Sequence, residues 1–155
     1  MPGRIDAHLA ALKIELPNAS APAANYVPYV RTGNLLFMAG QVCQWNGERR
    51  FIGKLGREFT VEHGQEAARL CGLNLLAQAK AALGGDLDRI VRCVRLGGFV
   101  NSTADFLEQP RVVNGASDLM VEILGDAGRH ARTAIGTNVL PFDLAVEVDA
   151  VFEVK

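Results

Sequence analysis

A chain of 155 residues, 49% hydrophobic and 21% charged, has the length of one domain and enough apolar content for a core, which excludes wholesale disorder. A net charge of −1 and a pI near 6.3 leave no broad basic footprint for nucleic acid or an anionic membrane surface. Three cysteines, Cys43, Cys71 and Cys93, form no CxxC spacing and read as free thiols rather than a disulfide framework.

Residues 1–16 lack the continuous apolar stretch of a signal peptide and predict an amphipathic helix with Ile5, Leu9 and Leu12 on one side. No apolar run approaches the ~20 residues of a membrane span, so a cytoplasmic protein is expected. The small and proline residues from Pro17 to Ala23 read as a linker to the body, taken as residues 25–155. Tyr29-Val30-Arg31 and Leu35 to Ala39 flank Thr32-Gly33-Asn34 and predict a hairpin. Asn46-Gly47 marks a second tight turn, leading into a strand near Arg49 to Leu55.

Thr60 is placed to cap a helix with Glu62 and His63 in its first turn. Its apolar stripe is Val61, Ala68, Cys71, Gly72, Leu75, Ala79 and Ala82, and Gly84-Gly85 ends it. Ile90 to Val100 reads as a strand. Pro110 suits the first turn of a second helix reaching Leu124, with Val113, Ala116, Met120 and Leu124 on its apolar side. Two last strands, Ala131 to Thr137 and Leu144 to Val154, are expected to be joined by the turn at Leu140 to Asp143. The final one alternates apolar and polar residues throughout. This order predicts an α+β fold with two helices on one face of a mixed sheet. The other face carries too many apolar residues to stay bare, so self-association is expected.

Little supports a metal, and no cofactor is expected. His8, His63 and His130 are scattered, with no Cys/His pairing, and no Gly-rich phosphate loop or nucleophile elbow occurs. Arg132 stands out as a cation among small strand residues, costly there unless it is paired or faces a ligand. Glu147 is expected nearly opposite it in an antiparallel pair. Two readings stay open on pattern alone: a cross-strand ion pair that only holds the hairpin, or a carboxylate clamp with an acid beside it.

The run Ala131-Arg132-Thr133-Ala134-Ile135-Gly136, then Leu140-Pro141, then Val146-Glu147-Val148-Asp149-Ala150, resembles the C-terminal signature of the RidA/YjgF family of imine/enamine deaminases, also called endoribonuclease L-PSP-like. Pro28-Tyr29, Phe37-Met38-Ala39-Gly40-Gln41 and Asn114 are similar to further family segments in the same order. The resemblance implies a chorismate-mutase-like fold assembled as a homotrimer with clefts between subunits. Arg132 would clamp the carboxylate of a 2-imino or 2-enamino acid, and Glu147 would position the attacking water. Tyr29, Ala39, Gly40, Asn114 and Thr133 would line the cleft, with no metal, cofactor, nucleic acid or membrane involved. Ala39 stands where the family has Ser, and Thr133-Ala134 where it more often has Ser-Cys. These departures admit an alternative, a non-catalytic binder of small carboxylates in the same cleft. An endoribonuclease fits less well with a near-neutral charge and no histidine pair.

Overall fold

Alternation along Val146–Val154 (β7) produces a strand buried on one face only. The computed structural model, which describes residues 1–155, sets it in the middle of a five-stranded sheet. The first hairpin joins Tyr29–Thr32 (β1) to Leu35–Val42 (β2) through Gly33 in the left-handed region (φ 59°). Gln44–Trp45 (β3) and Glu48–Arg49 (β4) make a separate two-stranded ribbon around Asn46-Gly47. Ile90–Asn101 (β5) and Ala131–Thr137 (β6) complete the main sheet, in the order β1-β2-β7-β5-β6.

Two strand expectations are corrected. The strand from Arg49 to Leu55 stops after Arg49, because Phe51 (φ 58°) and Gly53 (φ 138°) leave the extended region, and only isolated bridges at Ile52 and Leu55 remain. β6 and β7 are also not a hairpin. β6 runs parallel to β5 at the sheet edge, while β7 lies on the far side of β5, antiparallel to it. A parallel neighbour needs a crossover, and here a helix supplies it. On the way to β7, Ala145 donates to the Phe51 carbonyl and Asn101 donates to the Ala145 carbonyl, bonds that a hairpin would have made elsewhere.

Three α-helices pack around this sheet. Val61–Ala82 (α2) starts at Thr60, whose hydroxyl accepts from the His63 amide while the His63 ring accepts from the Thr60 amide. Gln109–Leu124 (α3) begins with Pro110 in its first turn. Both lie on one face of the sheet, as predicted, and enclose Leu75, Leu96, Met120 and Phe152. Close approach is set by small residues: a Cβ on Gly115 would meet the Gln65 backbone carbonyl oxygen at 2.0 Å, so only glycine allows this crossing of α3 and α2.

The N-terminal helix, Arg4–Ala11 (α1), is shorter than expected because Lys13 adopts φ 57°. It buries Ile5 and Leu9 against the body but leaves Leu12 outside. The Asp88 carboxylate caps it from a distance, accepting from the Arg4 and Ile5 amides at 2.6 and 2.8 Å. The sheet face away from the helices is bare and partly apolar, with Val30 (55% exposed), Phe37 (45%) and Ile135 (46%) on it. No helix is long and apolar enough to cross a membrane.

Candidate active site

Arg132 and Glu147 are not partners within one protomer. In register, Arg132 lies beside Leu96 of β5, a fully buried residue under the helices, so its side chain leaves the sheet toward α3. Glu147 alternates with buried Val146 and Val148, and it lies beside Phe99 on β5 and Val42 on β2. Its side chain therefore leaves on the bare face. The expected cross-strand pair is thereby ruled out: the two groups sit on opposite faces with β5 between their strands.

Arg132 is held firmly where it is. One guanidinium nitrogen donates to Asn114 Oδ1 (2.8 Å) and Ser117 Oγ (3.1 Å), and the other to the Pro110 carbonyl (3.1 Å), all from the first half or middle of α3. His130 extends the chain: its Nδ1 lies 2.6 Å from the Gly128 carbonyl, which can only accept, so Nδ1 carries the proton. Its Nε2 then accepts from Ser117 Oγ at 2.8 Å. Ser117 and His130 were not among the candidate residues. Ser117 follows Asn114 by three positions and His130 precedes Arg132 by two, so helix and strand periods already put them on the same faces.

Glu147 sits over a defect in β2. Between Met38, aligned with Ala150, and Gln41, aligned with Val148, two residues (Ala39 and Gly40) face the single Asp149, which is a β-bulge. The Glu147 side chain fills the space over Gly40, where a Cβ would come within 3.0 Å of its carboxyl carbon. Burial, and then the charge of Asp149, raise its carboxyl above the ordinary glutamate value, and no hydrogen bond lowers it again. It borders a cleft of about 530 Å³ whose walls include Pro28, Gly40, Gln41, Arg49 and Phe142.

The remaining candidates are dispersed. Asn114 touches Arg132. Tyr29 aligns with Met38 and packs against the core, and its neighbour Pro28, rather than its own ring, lines the cleft. Thr133 lies on the bare face, where its hydroxyl accepts from Arg95 at 3.0 Å, and Arg95 also approaches Asp149 at 3.7 Å. All three cysteines are buried and free. No group of three or more His, Cys, Asp or Glu is arranged to hold a metal. The chain thus presents an oriented cation at one edge and, in a cleft on the other face, an unpaired acid.

A family model described as "YjgF/chorismate_mutase-like, putative endoribonuclease" matches residues 6–153. The Trypanosoma cruzi protein TCP17 is 50% identical over 154 residues, 99% of this chain and 96% of its own length. The crystal structure of Atu1372 from Agrobacterium tumefaciens, a protein of unknown function, superposes with a TM-score of 0.91 at 47% identity, covering 97% of this chain and 92% of its own. Escherichia coli TdcF, crystallised with bound serine, shares the fold with a TM-score of 0.59 at 22% identity, over 90% of this chain and 93% of its own.

Proposed function

Because the chain belongs to the RidA/YjgF family, we propose that it hydrolyses small 2-imino and 2-enamino acids to 2-oxo acids and ammonia, in the cytoplasm, at clefts between the subunits of a homotrimer. The observation that carries this reading is the unpaired Glu147 carboxyl bordering an open cleft, where burial makes it hold its proton more tightly than an ordinary glutamate. An enamine first tautomerises to its imine by the net transfer of a proton from nitrogen to carbon. Water then adds to the C=N carbon while Glu147 takes a proton from it. Glu147 passes that proton to the nitrogen, and transfer of the hydroxyl proton to the same nitrogen then expels ammonia and leaves a carbonyl. An imine is already activated, so orientation and one placed water contribute more than a strong nucleophile would.

The substrate carboxylate falls to Arg132 of the neighbouring subunit, since the protomer's own Arg132 is on the wrong face. Packing copies through the bare sheet face would cover Phe37, Val30 and Ile135, and the shared site requires that packing to set one subunit's Arg132 at the next subunit's cleft. In this arrangement Asn114 and Ser117 are positioning residues that act through Arg132, Ala39 and Gly40 shape the cleft beneath Glu147, and Tyr29 and Thr133 border the assembly. TdcF, with bound serine, is a precedent on this fold for holding a small amino acid.

The test is ammonia and oxo-acid release from 2-aminoacrylate generated by a dehydratase. Arg132→Ala removes a charge-paired fork, a loss of about 2–3 kcal/mol or roughly 30- to 150-fold in kcat/KM. Equal rates for the two proteins would overturn the assignment. A second reading, carboxylate binding without turnover, draws on Ala39, which offers no hydroxyl where the family has Ser. Thermal stabilisation by 2-oxo acids with no ammonia release would select it.

A further inference from the structure

The cleft beside Glu147 contains a second charge that the proposed reaction leaves unused. Only Glu147 and Arg49 are charged among its lining residues. Arg49 projects from β4, on the short ribbon, and makes no ion pair; its neighbour Arg50 is the one that faces Glu48, at 3.6 Å. The Arg49 guanidinium instead lies 3.4 Å above the centre of the Phe142 ring. Stacking on an aromatic face leaves the edge of the guanidinium, where its N–H groups point, free for a planar anion.

Within the protomer, Phe142 packs on little besides Arg49. Its ring is 56% exposed, and its backbone sits at φ 59°, a region that a bulky residue occupies only under strain. Asp143 beside it is also left-handed (φ 56°). Both are fixed by the surrounding chain: the Gly53 amide donates to the Asp143 carbonyl at 2.7 Å, and Asn101 Nδ2 donates to its carboxylate at 2.9 Å. Strain held at an exposed aromatic under an unpaired arginine points to a ligand contact.

The lining of the cleft also includes Ala21, Pro22 and Val42, apolar surface that suits a short apolar arm.

We propose that Arg49, seated on Phe142, is a second anion clamp, so that the cleft takes 2-imino acids whose side chain ends in another carboxylate. This rests on the reading above that the reacting carbon lies by Glu147. The test is calorimetric binding of two product-like ligands of similar length, 2-oxoglutarate with two carboxylates and 2-oxohexanoate with one. The wild-type protein should prefer the dianion at least tenfold. Arg49→Ala should bring the ratio close to one, and Arg49→Lys, a point charge without the fork, should fall between. Phe142→Gly should lower the ratio while raising thermal stability, because it removes the platform and the strain together. No preference in the wild type, or a ratio unmoved by Arg49→Ala, would overturn the clamp. The reaction is judged separately by ammonia release. Dianion preference through Arg49 without turnover supports the clamp and defeats the deaminase reading; turnover of 2-aminoacrylate with an unmoved ratio does the opposite.

Discussion

If Arg132 and Glu147 act in one site from two subunits, two inactive variants should rescue each other. Arg132→Ala destroys the clamp that a subunit lends, and Glu147→Gln destroys the acid in its own cleft. In an equimolar mixture with random assembly, half of the lenders keep Arg132 and half of the receiving clefts keep Glu147, so about a quarter of clefts carry both. Each variant alone should retain at most a few per cent of wild-type kcat/KM, given the roughly 30-fold or larger loss for the removed fork and about 100-fold or more for the removed acid–base group. Recovery to near a quarter stands well above that background. The assay is ammonia release after the two variants are unfolded together and refolded, with each variant refolded alone as control and circular dichroism confirming the fold. The opposite-face geometry makes the outcome sharp, since a site built within one protomer cannot be complemented. Activity of the mixture at the average of the two single variants would refute the shared site.

The acid limb of kcat/KM should fall at a pH above the ordinary glutamate value of 4.5, because burial raises the Glu147 carboxyl and the reaction needs it ionised; Asp149→Asn should move the limb down by removing the second cause. The same shift has a stability sign. A native carboxyl that holds its proton more tightly than the unfolded one favours folding at low pH and penalises it once ionised. Glu147→Gln should therefore raise the melting temperature at pH 7 and not at pH 4, and a uniform change would argue against the buried acid. Gly115→Ala forces a methyl group into the Gln65 backbone, which cannot move aside as a side chain could. Denaturant titration should show a loss of about 3 kcal/mol or more. Gly40→Ala meets only the movable Glu147 side chain, so kcat should fall well beyond any change in the denaturation midpoint, and a stability loss matching that of Gly115→Ala would contradict this placement.

Local chemistry was legible. The Gly33-Asn34 turn, the Thr60 cap, Pro110 at the start of α3 and the alternation of β7 are each decided by neighbours within a few residues, and each fell where the sequence placed it. Pairing across the sheet was not. Nothing in Ala131 to Thr137 says which strand it joins, and the short turn before β7 suggested a hairpin. The contrary signal was present one level up: a strand, a helix and a strand in succession form the unit that makes parallel pairs, and β5, α3 and β6 are that unit. Arg132 and Glu147 were thus expected as a cross-strand pair and lie on opposite faces of the sheet. The Arg49–Phe142 stack had no local signature, because it depends on where a two-residue ribbon lands relative to a distant turn.

Three of the five N–H donors of Arg132 are already committed to Asn114, Ser117 and Pro110. A free arginine gives up about 2 kcal/mol of rotamer entropy when it is fixed in place. Here folding meets that cost before any ligand arrives, so an incoming carboxylate finds a fork already aimed, with two donors left to offer. Loosening the grip from α3 would then show itself less in the melting curve than in weaker capture, the same contacts having to be found afresh in every binding event.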